Sequence, residues 1–124
     1  MAAGITFTEI THTSAKKIIA AWESKGAGVG EGTIGGTTAN AFDGKVLGMT
    51  TIPDGVAAPT DNYDIVIKDS NSHDVLLGQG LNRHTSNTQH VVEANLGAVA
   101  GSKLTVDISA AGNSKKGTII LWIR

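Results

Sequence analysis

The sequence predicts an all-β fold, an antiparallel β-sandwich of jelly-roll-like form with eight or nine strands, and three observations carry that expectation. Short apolar segments recur about every ten residues with turn residues between them, which is the spacing of a sandwich or barrel. Threonine, valine and isoleucine are abundant beside sixteen glycines, a β composition. No long stripe of helical periodicity runs through the 124 residues. At this length the expectation is a single domain, 1–124, with a core that forms without staples.

The elements follow in order. Residues 5–10 (ITFTEI) alternate at first, with Ile5 and Phe7 on one face. Residues 1–14 are expected to include an extended arm able to add a strand to a neighbouring sheet edge. SAKKIIAAWES, residues 14–24, reads as a helix capped by Ser14 or as a strand. Strand is the reading adopted, because the glycines of residues 26–32 would stop a helix at once and nothing elsewhere would partner it. GAGVGEGTIGG, residues 26–36, reads as a flexible connector, since no GK[ST] ending and no helix follow to make a phosphate loop.

Residues 44–52 form a strand stopped by Pro53-Asp54-Gly55, a turn in which proline fixes φ and glycine supplies a positive one. Residues 56–60 are a loop, with Pro59 pressing Ala58 toward an extended conformation. Residues 63–67 (YDIVI) and 74–77 (DVLL) are expected to pair as a hairpin through residues 68–73. A polar loop over residues 78–86 precedes a strand near residues 89–94. Leu104, Val106 and Ile108 alternate with polar neighbours, giving one dry and one wet face. Residues 117–124 (GTIILWIR) are apolar on both faces, so this strand is either central or meets another subunit.

Composition excludes several classes of function. There is no cysteine, hence no disulfide, thiolate metal site or thiol nucleophile. Ten Lys and Arg against eleven Asp and Glu leave a net charge of -1, so no field draws the chain to nucleic acid or an anionic membrane. Lys16-Lys17 and the short apolar run after them are too short and too deep for a signal peptide, and a soluble chain without a cleaved leader is expected.

Candidate chemistry is sparse. Asp61, Asp64, Asp69, Asn71 and Asp74 offer oxygen ligands, but the spacing fails an EF-hand, with His73 and Asp74 at its fifth and sixth positions. Asp69-Ser70-Asn71-Ser72 are residues whose side chains bond local backbone in turns, so turn-holding is the expected role. His12, His73, His84 and His90 have no metal-binding spacing, and no serine sits in a nucleophile elbow. No catalytic residue, cofactor or metal is therefore assigned, and the chain is expected not to be an enzyme. Trp22 and Trp122 suit a core or an interface better than a sugar platform.

Two stretches carry a family resemblance: residues 50–91, with Pro59-Thr60-Asp61-Asn62-Tyr63-Asp64, Asp74-Val75-Leu76 and Asn82-Arg83-His84-Thr85, and residues 100–124. They resemble small virion structural proteins of tailed bacteriophages, over about the last two-thirds of the chain. The resemblance implies a capsid decoration, or cement, protein made in the host cytoplasm and carried on the outer surface of the head. Its implied partners are the major capsid protein and further copies of itself, a trimer favoured over a dimer. Trp22, Trp122, Ile123 and Arg124 are the candidate oligomer or capsid interface. The alternative is a carbohydrate- or receptor-binding module of a tail or head fibre.

Overall fold

The computed structural model describes residues 3–124, and these form nine strands and one short 3-10 turn. The strands are β1 (Gly4–Thr11), β2 (Lys16–Glu23), β3 (Ile34–Thr37), β4 (Phe42–Pro53), β5 (Asp64–Lys68), β6 (Gln89–Val92), β7 (Ala98–Ser102), β8 (Thr105–Ser109) and β9 (Lys116–Ile123). They make two antiparallel sheets. One has the order β1-β2-β9-β4-β6, with β7 also on β4, and the other is β3-β8-β5. The pairs β2–β9, β3–β8 and β4–β7 nest inside one another along the chain, the wrapping of a jelly roll. The fold class expected from the sequence is the one observed.

Residues 16–23 are strand rather than helix. Period two decides it: Ile18, Ala20 and Trp22 are buried, while Lys17, Ile19 and Ala21 lie on the opposite face. Strand β9 is central, between β2 and β4, and Ile119, Leu121 and Ile123 point into the core. Trp22 meets Tyr63 with ring centroids 5.6 Å apart and planes tilted by 45°. Met49, Ile65, Ile67, Leu76, Leu104 and Ile108 complete the space between the sheets.

Four expectations need correction. The hairpin of residues 63–77 has only one arm: β5 pairs with β8, and the second run keeps a single bridge, Lys68 to Asp74. Val75 and Leu76 are adjacent yet both fully buried, which a strand forbids because it points neighbours to opposite faces. A turn permits it, so the chain curls at once, with Leu77 at φ 51°. The glycine-rich connector also stops short, because Ile34–Thr37 is strand β3. Gly36 lies beneath Ile5 and Phe7, where a Cβ would stand 3.3 and 3.2 Å from them, so missing side chains let β1 close over β3.

Gly4–Thr11 is no free arm, since all eight residues pair with β2 as the outermost strand of its sheet; Met1 and Ala2 lie outside the described residues. The strand expected near 89–94 ends at Val92, and Glu93–Asn95 is the 3-10 turn. Strand β7 has no counterpart among the expected elements. Its glycine-containing run AVAGS is short, and it pairs with β4 through an irregular register.

Candidate functional site

The acidic stretch resolves into loop fastening. The Asp69 carboxylate accepts hydrogen bonds from the backbone N–H of Asn71 (2.9 Å) and His73 (3.0 Å). Asp74 accepts from Leu76 (3.0 Å) and Gly78 (2.9 Å), holding the curl after β5. Asp64 takes the N–H of Asn82 and Asp61 that of Thr85, tying the long polar loop to the start of β5. Each carboxylate satisfies donors that no sheet ladder reaches. Among the described residues no group of three or more His, Asp or Glu is placed to hold a metal ion.

Other charged groups work the same way. Glu9 accepts the N–H groups of Ala39 and Asn40, and the Lys45 ammonium donates to the carbonyls of Glu93 and Leu96. His84 Nδ1 accepts from Ser86 and Asn87. The N–H groups of Ala57 and Val56 hold the Asp54 carboxyl below the usual carboxylate range, and the nearby Lys116 adds to them. Burial pushes the Tyr63 phenol above its ordinary value, offset in part by the Thr51 hydroxyl.

Because Asp74 serves several donors at once, Asp74→Ala is expected to destabilise the protein by about 2 kcal/mol. Asp74→Asn keeps one acceptor oxygen and should cost less. Urea unfolding of the two variants checks the order, which a free or metal-binding aspartate would not produce.

The four interface candidates separate. Trp22 and Ile123 are buried at 1 % and 0 % exposure, so their side chains belong to the core. Trp122 and Arg124 reach the surface. Trp22 and Tyr63 are both enclosed, and neither can stack on a ligand. The inter-sheet void lined by Ile18, Ala20, Ile67 and Leu121 is about 10 Å3, with no room for a small molecule.

Two surfaces stand out instead. The first is the outer face of the six-stranded sheet, whose side chains form rows across the strands by register. One row runs Ala21, Thr118, Ile52; the next Ile19, Ile120, Thr50, His90; the third Lys17, Trp122, Gly48. The His90 ring lies over Gly48, bonds Thr50 Oγ1 at 2.8 Å and meets Trp122 edge-on at 5.9 Å. At the other end of the face a hollow of about 280 Å3 is lined by Ala21, Ile52, Pro53, Asp54, Lys116 and Thr118 among others.

The second surface is one end of the sandwich. The loops after β2 and β4 meet there, joined through residues 111–116 by bonds from Ala111 N–H to Gly32 O, Thr60 N–H to Ala111 O and Lys116 N–H to Ala57 O. Each loop presents a valine wholly to solvent, Val29 at 103 % and Val56 at 98 % exposure. Val29 stands between Gly28 and Gly30, both at positive φ. Sequence reading missed both valines, since a lone apolar residue in a glycine loop gives no periodic signal.

Comparison with known proteins adds little. No family model matches the sequence, and no curated protein does. Among solved structures, a cupin domain from Bordetella pertussis Tohama I covers 100% of this chain with 97% of its own length, at 10% identity and a TM-score of 0.38. A likeness that loose carries no argument about ligand or activity. Among the described residues no helix is long and apolar enough to cross a membrane.

Proposed function

We propose that this chain is a bacteriophage capsid decoration protein that binds the outer surface of the icosahedral head and strengthens contacts between capsomers of the major capsid protein. The observation that carries the reading is the loop end with its two solvent-borne valines. Val29 and Val56 contribute nothing to the core, and their loops are ordered by backbone bonds such as Lys25 N–H to Thr33 O, so the apolar tips are held out for contact. The phage-like motifs of residues 50–91 and 100–124 support the same reading. Its mechanism is adhesion and involves no chemical step: a rigid sandwich bridges shell subunits, and strain on the shell must break its contacts as well as theirs.

The test mixes pure protein with undecorated shells. Binding is expected to saturate at a simple ratio to the shell subunit. The paired substitution Val29→Asp with Val56→Asp should lower shell affinity about a hundredfold, as loss of central apolar contacts does, and leave stability within about 0.5 kcal/mol. Absence of saturable binding, or full binding by the double variant, defeats the proposal.

A further inference from the structure

The polar loop before β6 closes on a histidine whose hydrogen bonds admit only one protonation state. His84 is half-buried, and its Nδ1 lies 3.0 Å from the backbone nitrogen of Ser86 and 2.9 Å from that of Asn87. A backbone N–H can only donate, so Nδ1 offers its lone pair and the ring's one proton sits on Nε2. Asp54 holds its own loop in the same way, accepting from Val56 and Ala57, two and three residues ahead. An imidazole differs in losing that acceptor as soon as it gains a second proton. Among the described residues His90 is no equivalent, because its Nδ1 meets the Thr50 hydroxyl, which can either donate or accept.

Thr85, inside this turn, fastens it to the segment before β5. Its N–H donates to the Asp61 carboxylate at 3.1 Å and its hydroxyl to the carbonyl of Pro59. Residues 59–61 are the stem of the loop that carries the exposed Val56, and Thr60 N–H in turn bonds Ala111 O. On the other side the His84 N–H donates to Gln89 Oε1 at the start of β6. The turn therefore joins β6 to the stem of the Val56 loop, and its closure depends on one lone pair.

We propose that residues 84–87 are a proton-operated clasp, closed while His84 is neutral and opened when its ring takes a second proton. That proton can go only to Nδ1, where it would face two N–H donors, so the bonds to Ser86 and Asn87 break and the ring swings out. The charged and titratable groups on the segments bonded to the turn are Arg83 within the loop, Asp61, Tyr63 and Asp64 at the start of β5, and His90 beside Gln89 on β6. Two carboxylates against one guanidinium raise no electrostatic barrier to a proton, so the N–H pair is what excludes it from the closed turn. Opening takes up one proton. The ratio of open to closed turn therefore rises about tenfold for each unit by which pH falls below about 6.5, where a free imidazole gains its charge. At neutral pH the clasp braces the stem of the Val56 loop, and in mild acid it lets go.

NMR of the pure protein between about pH 5 and 8 tests this without any shell, so its outcome is separate from that of the decoration reading. At the alkaline end the His84 ring should carry its proton on Nε2. As pH falls, the amide signals of Ser86 and Asn87 should move together with the ring's titration, while those of β9 stay in place. His84→Asn keeps an acceptor that does not titrate and should hold the turn closed across the range. His84→Ala has no acceptor and should leave the turn open at every pH. A proton on Nδ1 at the alkaline end, a charged ring with the Ser86 and Asn87 amides unmoved, or an unchanged pH profile in His84→Asn overturns the proposal.

Discussion

Gly44→Ala is expected to lower the unfolding free energy by about 4 kcal/mol or more, enough to remove most of the stability of a domain this size. Two independent causes add at that residue. Gly44 holds φ at 122°, a region that costs an L-residue about 1–3 kcal/mol even with open space around it. Space is absent here: a Cβ would run into the backbone carbonyl of Arg124. That carbonyl cannot simply move aside, because Lys45 N–H bonds to it at 3.2 Å and Arg124 N–H returns a bond to Lys45 O at 3.0 Å. These bonds pin the chain's last residue to β4, at the irregularity where β4 leaves register with β7. Chemical denaturation should show the loss, and a change below about 1 kcal/mol would mean that Gly44 is not confined as described.

Trp22→Ala is the second large effect, at about 3–5 kcal/mol. The ring is 1 % exposed, lies against Tyr63 and covers Gly117, whose absent Cβ would stand 2.7 Å from Cζ2. Two sheets cannot collapse locally into the space it leaves, so most of the cavity remains. Trp22→Phe separates packing from polarity. The indole Nε1 is buried without a hydrogen-bond partner, so removing that N–H forfeits no bond, and phenylalanine restores most of the apolar volume. A loss for Trp22→Phe as large as that for Trp22→Ala would show that filling the space is not what the ring contributes. Trp122, on the outer face, serves as the internal control, because its truncation should leave stability nearly unchanged.

Legibility in the sequence followed the reach of the forces involved. Where a segment's own alternation met a single core, as in residues 104–108, period two announced the strand and its buried face; residues 17–22 read equally as helix, and only the glycines after them favoured strand. Where the neighbour came from far along the chain, the pattern was silent. The glycines of β3 became a strand only because β8 and the Ile5 and Phe7 side chains of β1 approach them. Residues 74–77 have the composition of a strand, but Asp74 captures the donors ahead of it and the chain turns. The role of Asp69 was readable because its capping is local, whereas Asp64 and Asp61 fasten Asn82 and Thr85 from far along the chain. The loop-end valines and the relief of the outer face were not, since each gathers residues from distant segments.

The residues alone determined an all-β chain, a two-faced final strand and acidic groups committed to turns, because propensity, alternation and Asx bonding act within a few positions of one another. Tertiary structure decided which of two tryptophans is enclosed and which stands out. Trp22 alternates onto the inner side of β2 and Trp122 onto the outer side of β9, a distinction that exists only once a second sheet covers one face and leaves the other bare.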